Sequence, residues 1–587
     1  EAMQALEAIL TRVTVPPAKM AEPAPDDAAL GRMLEAAAAA PEAGTSLDDS
    51  LDADFKAHLE RLLPAYMVPS RFVGLPSLPL TWSGKVDKKA LPSPLQDADR
   101  TITPPANETQ RHIAQLWADI LRRPAADIGI DDSFYEIGGN SLLLARLLFR
   151  LRKELPDLAI DHALVHSSPT IRLMAGDHDA TAALGGVELA LRDCALPADF
   201  PAVHPAEPTR LTTPEKILVT GTTGFLGCHL VDRLLETTTA TIYCAVRGPR
   251  PAQRQRETLT RLSLLPSGDD FETRLRFVTC DLAQPRLGLE ASTWTSLANE
   301  IDLIIHCGAF VHHVFDYAML RDANVGSTAA LLELAVSGDR SAAIALVSTV
   351  SAASVVVDHC FPEVGPAPQP LITSGYPLTK YVGERLMGEF QQRGGTALVV
   401  RPGNIAADTR TGITIPELNH VLLLIKGSVQ LGLGPVDVSG VAHIDITPVN
   451  QVAAATCALA LDPQAQGSTW HLINPNRVLW TDLWACLRSL GYAIETVDHN
   501  TWATRVQEVD ESNALFALAA QHQPGEAEEL YTFDTTATTR RLAALSTGFT
   551  PTDPQTLERM MRWLMSVGFL PEPAALHPST LATAGRP

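Results

Sequence analysis

The chain has no surplus of positive charge, no clustered cysteines and no long apolar run. Among its 587 residues, 67 Asp and Glu outnumber 46 Lys and Arg, a formal net charge of −21. Nucleic acids and anionic membranes recruit positive surfaces, so neither is an expected partner. An anionic cofactor stays admissible, because a few local arginines suffice to hold one. The eight cysteines, at positions 194, 228, 244, 280, 307, 360, 457 and 486, include no CxxC pair and no Cys/His spacing of a zinc site. Scattered thiols of this kind fit a reducing compartment, and the cytoplasm is the expected location. No stretch of about 20 apolar residues predicts a membrane span. No basic-plus-apolar signal peptide opens the chain, and its first residue is Glu1. A piece of a longer polypeptide is therefore the expectation.

What is present divides the chain into several domains, three to five at roughly 100–200 residues each. Residues 1–50 are rich in Ala, Pro, Asp and Glu, a composition of poor order. Residues 54–63 have helical periodicity that ends at Pro64. Between 106 and 122, Ile113, Leu116, Trp117, Ile120 and Leu121 recur at helical spacing. A further helix is expected from Ser141, and short ones near 161–166 and 170–176, which makes residues 104–178 a four-helix bundle. Prolines 197, 201, 205 and 208 mark 179–213 as a linker. From Lys216 onward, apolar strands alternate with helical stretches. That alternation predicts a doubly wound parallel α/β sheet over 214–412. A smaller, mostly helical subdomain is expected over 413–587.

The first of those strands runs into Gly221, Thr222, Thr223, Gly224, Phe225, Leu226 and Gly227. A GxxGxxG string alone is a weak signal, but here it leaves a strand and opens a helix, as in a Rossmann-type dinucleotide site. The glycines allow a tight turn and close backbone approach to a pyrophosphate, which the free N–H groups of the helix then face. The second strand ends in Arg247, where an NAD enzyme usually places an acid. A guanidinium there favours a 2′-phosphate, and so NADPH. Arg254 or Arg256 is a candidate second charge, or equally a solvated helix surface. Asp281 and Leu282 follow the third strand, toward the adenine. Cys307, Gly308 and Ala309 end the fourth, beside the expected cofactor path.

Tyr376 and Lys380 form a YxxxK pair on one helix face. The ammonium is expected to lower the phenol pKa and fit Tyr376 for general acid work, with Lys380 also reaching the nicotinamide ribose. Ser348 and Thr349 end the preceding strand, and the Thr349 hydroxyl is a candidate oxyanion donor. The adjacent His312 and His313 are taken as loop histidines near a cleft. Asp316 comes one residue too early for an HHxxxD motif.

Together TGTTGFLG (220–227), VRG (246–248), CDL (280–282), NVGST (324–328), STVS (348–351), GYPLTKYVGE (375–384) and RPGNI (401–405) resemble the extended short-chain dehydrogenase/reductase family. The likeness is greatest to its thioester-reductase branch, which ends nonribosomal peptide synthetases and carboxylic acid reductases. The resemblance implies catalytic roles for Thr349, Tyr376 and Lys380, and cofactor contacts that include Arg247, Pro402 and Ile405. The run His306-Cys307-Gly308-Ala309 departs from a family that often has Asn close by.

The string DDSFYEIGGNSL (131–142) resembles the phosphopantetheine attachment site of peptidyl carrier proteins. It implies a 4′-phosphopantetheine arm on Ser141, installed by a phosphopantetheinyl transferase and charged by upstream synthetase modules. Residues 66–92, including Lys85, resemble the end of an adenylation domain, so 1–95 is read as a small α+β adenylation tail. These resemblances imply NADPH-dependent reductive release of a carrier-bound thioester as an aldehyde, with a second reduction to an alcohol conceivable. The alternatives are a redox-inactive cyclising domain, an NAD-dependent nucleotide-sugar epimerase or dehydratase, and a non-enzymatic carrier-interaction module. The absence of a GxSxG elbow argues against serine thioesterase release.

Overall fold

The computed structural model describes residues 102–134, scattered residues of 137–155, residues 170–175, and 186–573 apart from short gaps. The adenylation-like tail with Lys85, and Ser141 itself, lie outside the described residues. The described residues fall into two compact units, one within 102–140 plus 170–175, the other including everything from 186 onward.

In the first unit, helix α1 (Glu108–Leu121) buries Ile113, Leu116, Trp117 and Ile120, the face its periodicity predicted. Trp117 meets Phe134 edge to face at 4.9 Å. Helix α2 (Ile171–Met174) is tied back by Arg172, which donates to both carboxylate oxygens of Asp131 at 2.6 and 3.0 Å.

The second unit starts earlier than the proline pattern suggested. Helices α3 (Gly186–Arg192) and α4 (Pro208–Thr212) belong to it. Ala190, Cys194 and Leu196 join the core on one face of the sheet, and Leu211 joins the core on the other. The Leu196 amide donates to Glu389 at 2.6 Å, the Ala206 amide to Thr396 at 2.9 Å, and Arg210 pairs with Asp302 at 2.7 Å. Residues 186–213 thus form a strap rather than an extended linker. Prolines break the helices here, but the apolar residues between them still find a core to bury in.

The sheet itself is parallel throughout. Strands β1 (Lys216–Thr220), β2 (Thr241–Val246), β3 (Leu275–Thr279), β4 (Leu303–His306), β5 (Ala343–Val347), β7 (Ala397–Pro402) and β8 (Thr469–Leu472) lie in the order β8-β7-β5-β4-β1-β2-β3. Their near-continuous apolar runs suit strands covered on both faces. Period-two alternation sorts them: Ile217 and Val219 pack with Leu230, Leu234 and Val452, while Leu218 packs with Leu331, Tyr381 and Met387. One face is covered by α5 (Phe225–Thr237) and α11 (Val449–Ala460). Helix α6 (Pro251–Arg261) follows β2. The opposite face carries α7 (Tyr317–Arg321), a π-helical turn (Asp322–Gly326), α8 (Ser327–Val336) and α9 (Gly375–Gln392).

A third core lies after the sheet. Helices α10 (His420–Leu431), α12 (Trp480–Ser489), α13 (His499–Val506) and α14 (Pro554–Ser566) enclose Trp484, Trp502 and Met561. Two small strands, β6 (Cys360–Phe361) and β9 (Thr532–Phe533), pair in parallel and bring this late segment back against the sheet unit. The described residues after 412 are mostly helical, but the expected division at 412 does not hold: α11 covers one face of the sheet and β8 pairs with β7 within it, because the apolar residues of 449–472 bury against the sheet core.

Candidate active site

The carboxyl ends of β1, β4, β5 and β7 converge on one cavity of about 460 Å³. Its walls are the glycine turn from Gly221 to Gly227, Cys307 to Ala309 after β4, Val347 to Thr349 after β5, Tyr376 and Lys380 on α9, and Pro402, Gly403 and Ile405 after β7. Ligands of open α/β sheets bind where strand order reverses, and β1 and β4 flank that point here.

The turn is built for close approach. Gly221 has φ +73°, and a Cβ there would stand 2.7 Å from the Gly308 backbone. A Cβ on Gly227 would lie 2.0 Å from the Gly221 carbonyl oxygen. Behind the turn, the Gly308 amide donates to Thr220 Oγ1 at 2.9 Å, and that hydroxyl meets His306 Nδ1 at 2.8 Å. Ser327 spends its own proton on the Ala323 carbonyl at 2.6 Å, so it accepts from His306 Nε2 at 3.2 Å. Burial, and then the nearby Lys380 charge, favours the neutral imidazole of His306 and holds its pKa down at about 3.

Most expected cofactor contacts line this cavity, but Thr222, Arg247, Arg256, Asp281 and Leu282 do not. Thr222 is wholly buried and faces away from it; its carbonyl is occupied by the Cys228 thiol at 3.0 Å and the Gln255 amide at 2.9 Å. Arg256 does not point toward a cofactor. It pairs with Glu272 and lies 4.0 Å above the Phe271 ring, because α6 packs its polar face against that neighbouring helical turn. Arg254 donates to the Arg247 carbonyl. Among the described residues, Arg247 and Arg250 carry no carboxylate partner, and both are exposed just after β2. Arg250 was not anticipated, although the string Arg-Gly-Pro-Arg-Pro directly after a strand was there to suggest it. Asp281 and Leu282 follow β3, with Leu282 Cδ1 packed toward Gly308.

The Tyr376–Lys380 pair is assembled, but its electrostatics run opposite to the sequence expectation. Lys380 Nζ stands 6.0 Å from the Tyr376 ring centre and donates to the Val347 carbonyl at 2.8 Å. Burial pushes the Tyr376 phenol above its usual range and lowers Lys380 to about 8. A cation at that distance, already spent on a carbonyl, does not offset the desolvation of a phenolate. Thr349 lines the same cavity and accepts the Ser351 amide at 3.3 Å. His312 stacks on Phe315 at 3.7 Å and accepts its amide at 3.1 Å, a packing role in the loop after β4. His313 lies outside the described residues. No metal-ligating cluster of three or more groups occurs among the described residues, and no described helix is long and apolar enough to cross a membrane.

Residues 219–456 match the NAD-binding family described as male sterility protein, and residues 111–176 match the phosphopantetheine attachment site family. A linear gramicidin synthase polypeptide of Brevibacillus parabrevis is 33% identical over 491 residues, covering 80% of this chain and 9% of that protein. The L-2-aminoadipate reductase large subunit of Penicillium chrysogenum is 29% identical over 510 residues, covering 78% and 35%. The chain thus spans about a third or less of the length of these relatives. The terminal R domain of the myxalamid PKS-NRPS pathway superposes with a TM-score of 0.58 at 29% identity, covering 66% of this chain and 99% of that one. A thiolation-reductase di-domain from an archaeal nonribosomal peptide synthetase shares the fold, with a TM-score of 0.63 at 19% identity over 80% and 100%.

Proposed function

Because the chain joins a phosphopantetheine-attachment domain to an NAD-binding domain like the reductases of nonribosomal peptide synthetases, we propose that it releases a carrier-bound acyl or peptidyl thioester by reduction with NADPH. The supporting observation is the meeting of Thr349, Tyr376 and Lys380 in one cavity with the glycine turn. That cavity fits a dinucleotide: its floor is the Gly221–Gly308 approach that any side chain would fill. Arg247 and Arg250 are the groups proposed to select a 2′-phosphate, and so NADPH over NADH.

A bound reduced nicotinamide supplies the hydride, and a pantetheine thiol on Ser141 carries the acyl group. The protein's own part is electrostatic. The Thr349 hydroxyl and the Tyr376 phenol donate to the carbonyl oxygen as negative charge grows on it. A phenol whose pKa is pushed up keeps its proton until that oxygen needs it. Lys380, with a pKa of about 8, is largely protonated at neutral pH and holds the site positive. The product is an aldehyde, with an alcohol after a second round.

The same proposal takes residues 104–178 as a four-helix carrier, 214–412 together with the returning 449–472 as the cofactor-binding domain, the rest of 413–587 as the substrate-side subdomain and 1–95 as an adenylation tail. Upstream synthetase modules load the carrier, and a phosphopantetheinyl transferase primes it, in the cytoplasm. The retained Tyr376 favours reduction over redox-inactive cyclisation, and the fused carrier disfavours a nucleotide-sugar enzyme or a non-catalytic module. The test loads Ser141 with an acyl-pantetheine, adds NADPH and identifies the product by mass. Aldehyde or alcohol is expected; a cyclised product without NADPH consumption, or an untouched thioester, overturns the reading.

A further inference from the structure

Behind the cavity, a chain of wholly buried polar groups links the strand end that carries Thr349 to the late segment 532–538. Ser348, Glu384, Arg401 and His471 are each at most 4% exposed. Ser348 Oγ donates to Glu384 Oε1 at 2.5 Å. Arg401 donates from Nε to the same oxygen at 2.9 Å and from Nη2 to Oε2 at 2.5 Å. Its Nη1 lies 3.2 Å from His471 Nε2, and His471 Nδ1 lies 2.8 Å from the Asp534 carbonyl.

Only one proton order satisfies these contacts. A guanidinium has no acceptor, so His471 Nε2 offers its lone pair to Arg401. A carbonyl has no donor, so His471 Nδ1–H donates to Asp534. The imidazole is therefore neutral, and burial followed by the adjacent guanidinium holds its pKa at about 4.

The far end of this chain also returns to Thr349 by a second route. The Asp534 amide donates to the Phe361 carbonyl, and the Thr532 amide to the His359 carbonyl, both at 2.9 Å. Phe361 and Phe533 stack at 4.9 Å. Glu363 caps the next turn, accepting the Ala537 amide at 2.7 Å and the His471 amide at 3.2 Å. Residues 350–363 are therefore pinned by segment 532–538 at one end and lead directly into Thr349 at the other.

We propose that His471 is a positioning residue that couples segment 532–538 to the oxyanion-binding hydroxyl, through Arg401, Glu384 and Ser348. The inference rests on the reductase reading for its kinetic consequence. Buried ion pairs hold their geometry best when the donors they leave over find acceptors, and His471 Nε2 is the acceptor facing Arg401 Nη1. Without it, Arg401 seeks another acceptor, Glu384 turns with it, and the Ser348–Thr349 corner loosens.

The test uses the full chain. His471→Phe keeps the ring volume and removes both nitrogens; His471→Gln restores an acceptor for Arg401. His471→Phe is expected to lower kcat for thioester reduction about tenfold, while NADPH affinity by fluorescence titration stays within about twofold. His471→Gln is expected to recover most of kcat. Ser348→Ala, a small change in the core, should lower kcat alone, and its effect should not add to that of His471→Phe. Amide hydrogen exchange reads the coupling without any turnover: His471→Phe should speed exchange across 350–361. Unchanged exchange there sinks the inference even if the enzyme is a reductase. So do additive losses, an equal loss of NADPH affinity, or a Gln variant no better than Phe. Thioester left untouched by the wild type, with exchange altered as expected, would instead remove the reductase reading and leave the coupling standing.

Discussion

At the scale of single residues, the Tyr376–Lys380 pair is a matter of burial more than of charge. Lys380 at about 8 must keep its proton to hold the site positive. Activity of the free enzyme should therefore fall as pH rises through about 8, a limb visible in kcat/KM against pH. Lys380→Met should erase that limb along with most of the rate. Tyr376→Phe should cut kcat by roughly 10²–10⁴ and leave NADPH binding intact, as a titration would show. If that variant reduces thioester at the wild-type rate, the acid is elsewhere. The two exposed guanidiniums after β2 make a separate claim. Arg247→Ala and Arg250→Ala should each weaken NADPH by roughly tenfold, the strength of one charge-assisted contact, while NADH binding changes little.

The elements show which parts of this could be read locally. Apolar strand runs, the glycine turn after β1 and the Tyr376–Lys380 spacing on α9 are short-range patterns, and each appeared where the sequence placed it. Arg256 misled because a basic residue near a cofactor strand looks the same whether or not Glu272 waits 16 positions on. The strap is hidden in the sequence because its prolines are a local signal, whereas the burial of Ala190, Cys194 and Leu196 depends on residues far along the chain. The direction of the Tyr376 shift depends on neighbours distant in sequence, and so does the Glu384–Arg401–His471 chain. Three buried histidines expose the same gap and carry a prediction. His306, His471 and His522 are held neutral at about 3, 4 and 4, each chiefly by burial. Depressed folded values mean that protons favour the unfolded chain once pH drops below the ordinary 6.5. Stability should be fully present above about pH 6.5 and decline steadily toward pH 4, seen as a falling Tm. His522→Phe, beside the Trp502 ring at 5.1 Å, should make that slope shallower.

Across the whole molecule, the second unit is longer at its start than its sheet. The strap donates apolar side chains to the cores on both faces, and closes on Asp302 and Glu389. A protein begun at residue 214 should lose those contacts and unfold at a lower temperature than one begun at 186; thermal scans of the two would compare them directly. Equal melting temperatures would mean the strap is only draped over the surface.

The strap also moves the place where this chain can be cut and rejoined. Exchange of the first unit for another, at the proline-marked boundary near 213, would carry away part of the second unit's own interior. Only residues 176–185 lie between the last described residue of the carrier unit and the first helix of the strap. A junction for joining the second unit to a foreign first unit therefore belongs in those ten positions. Ten residues span at most about 36 Å when extended, a bound on chain length that any exchange made there has to respect.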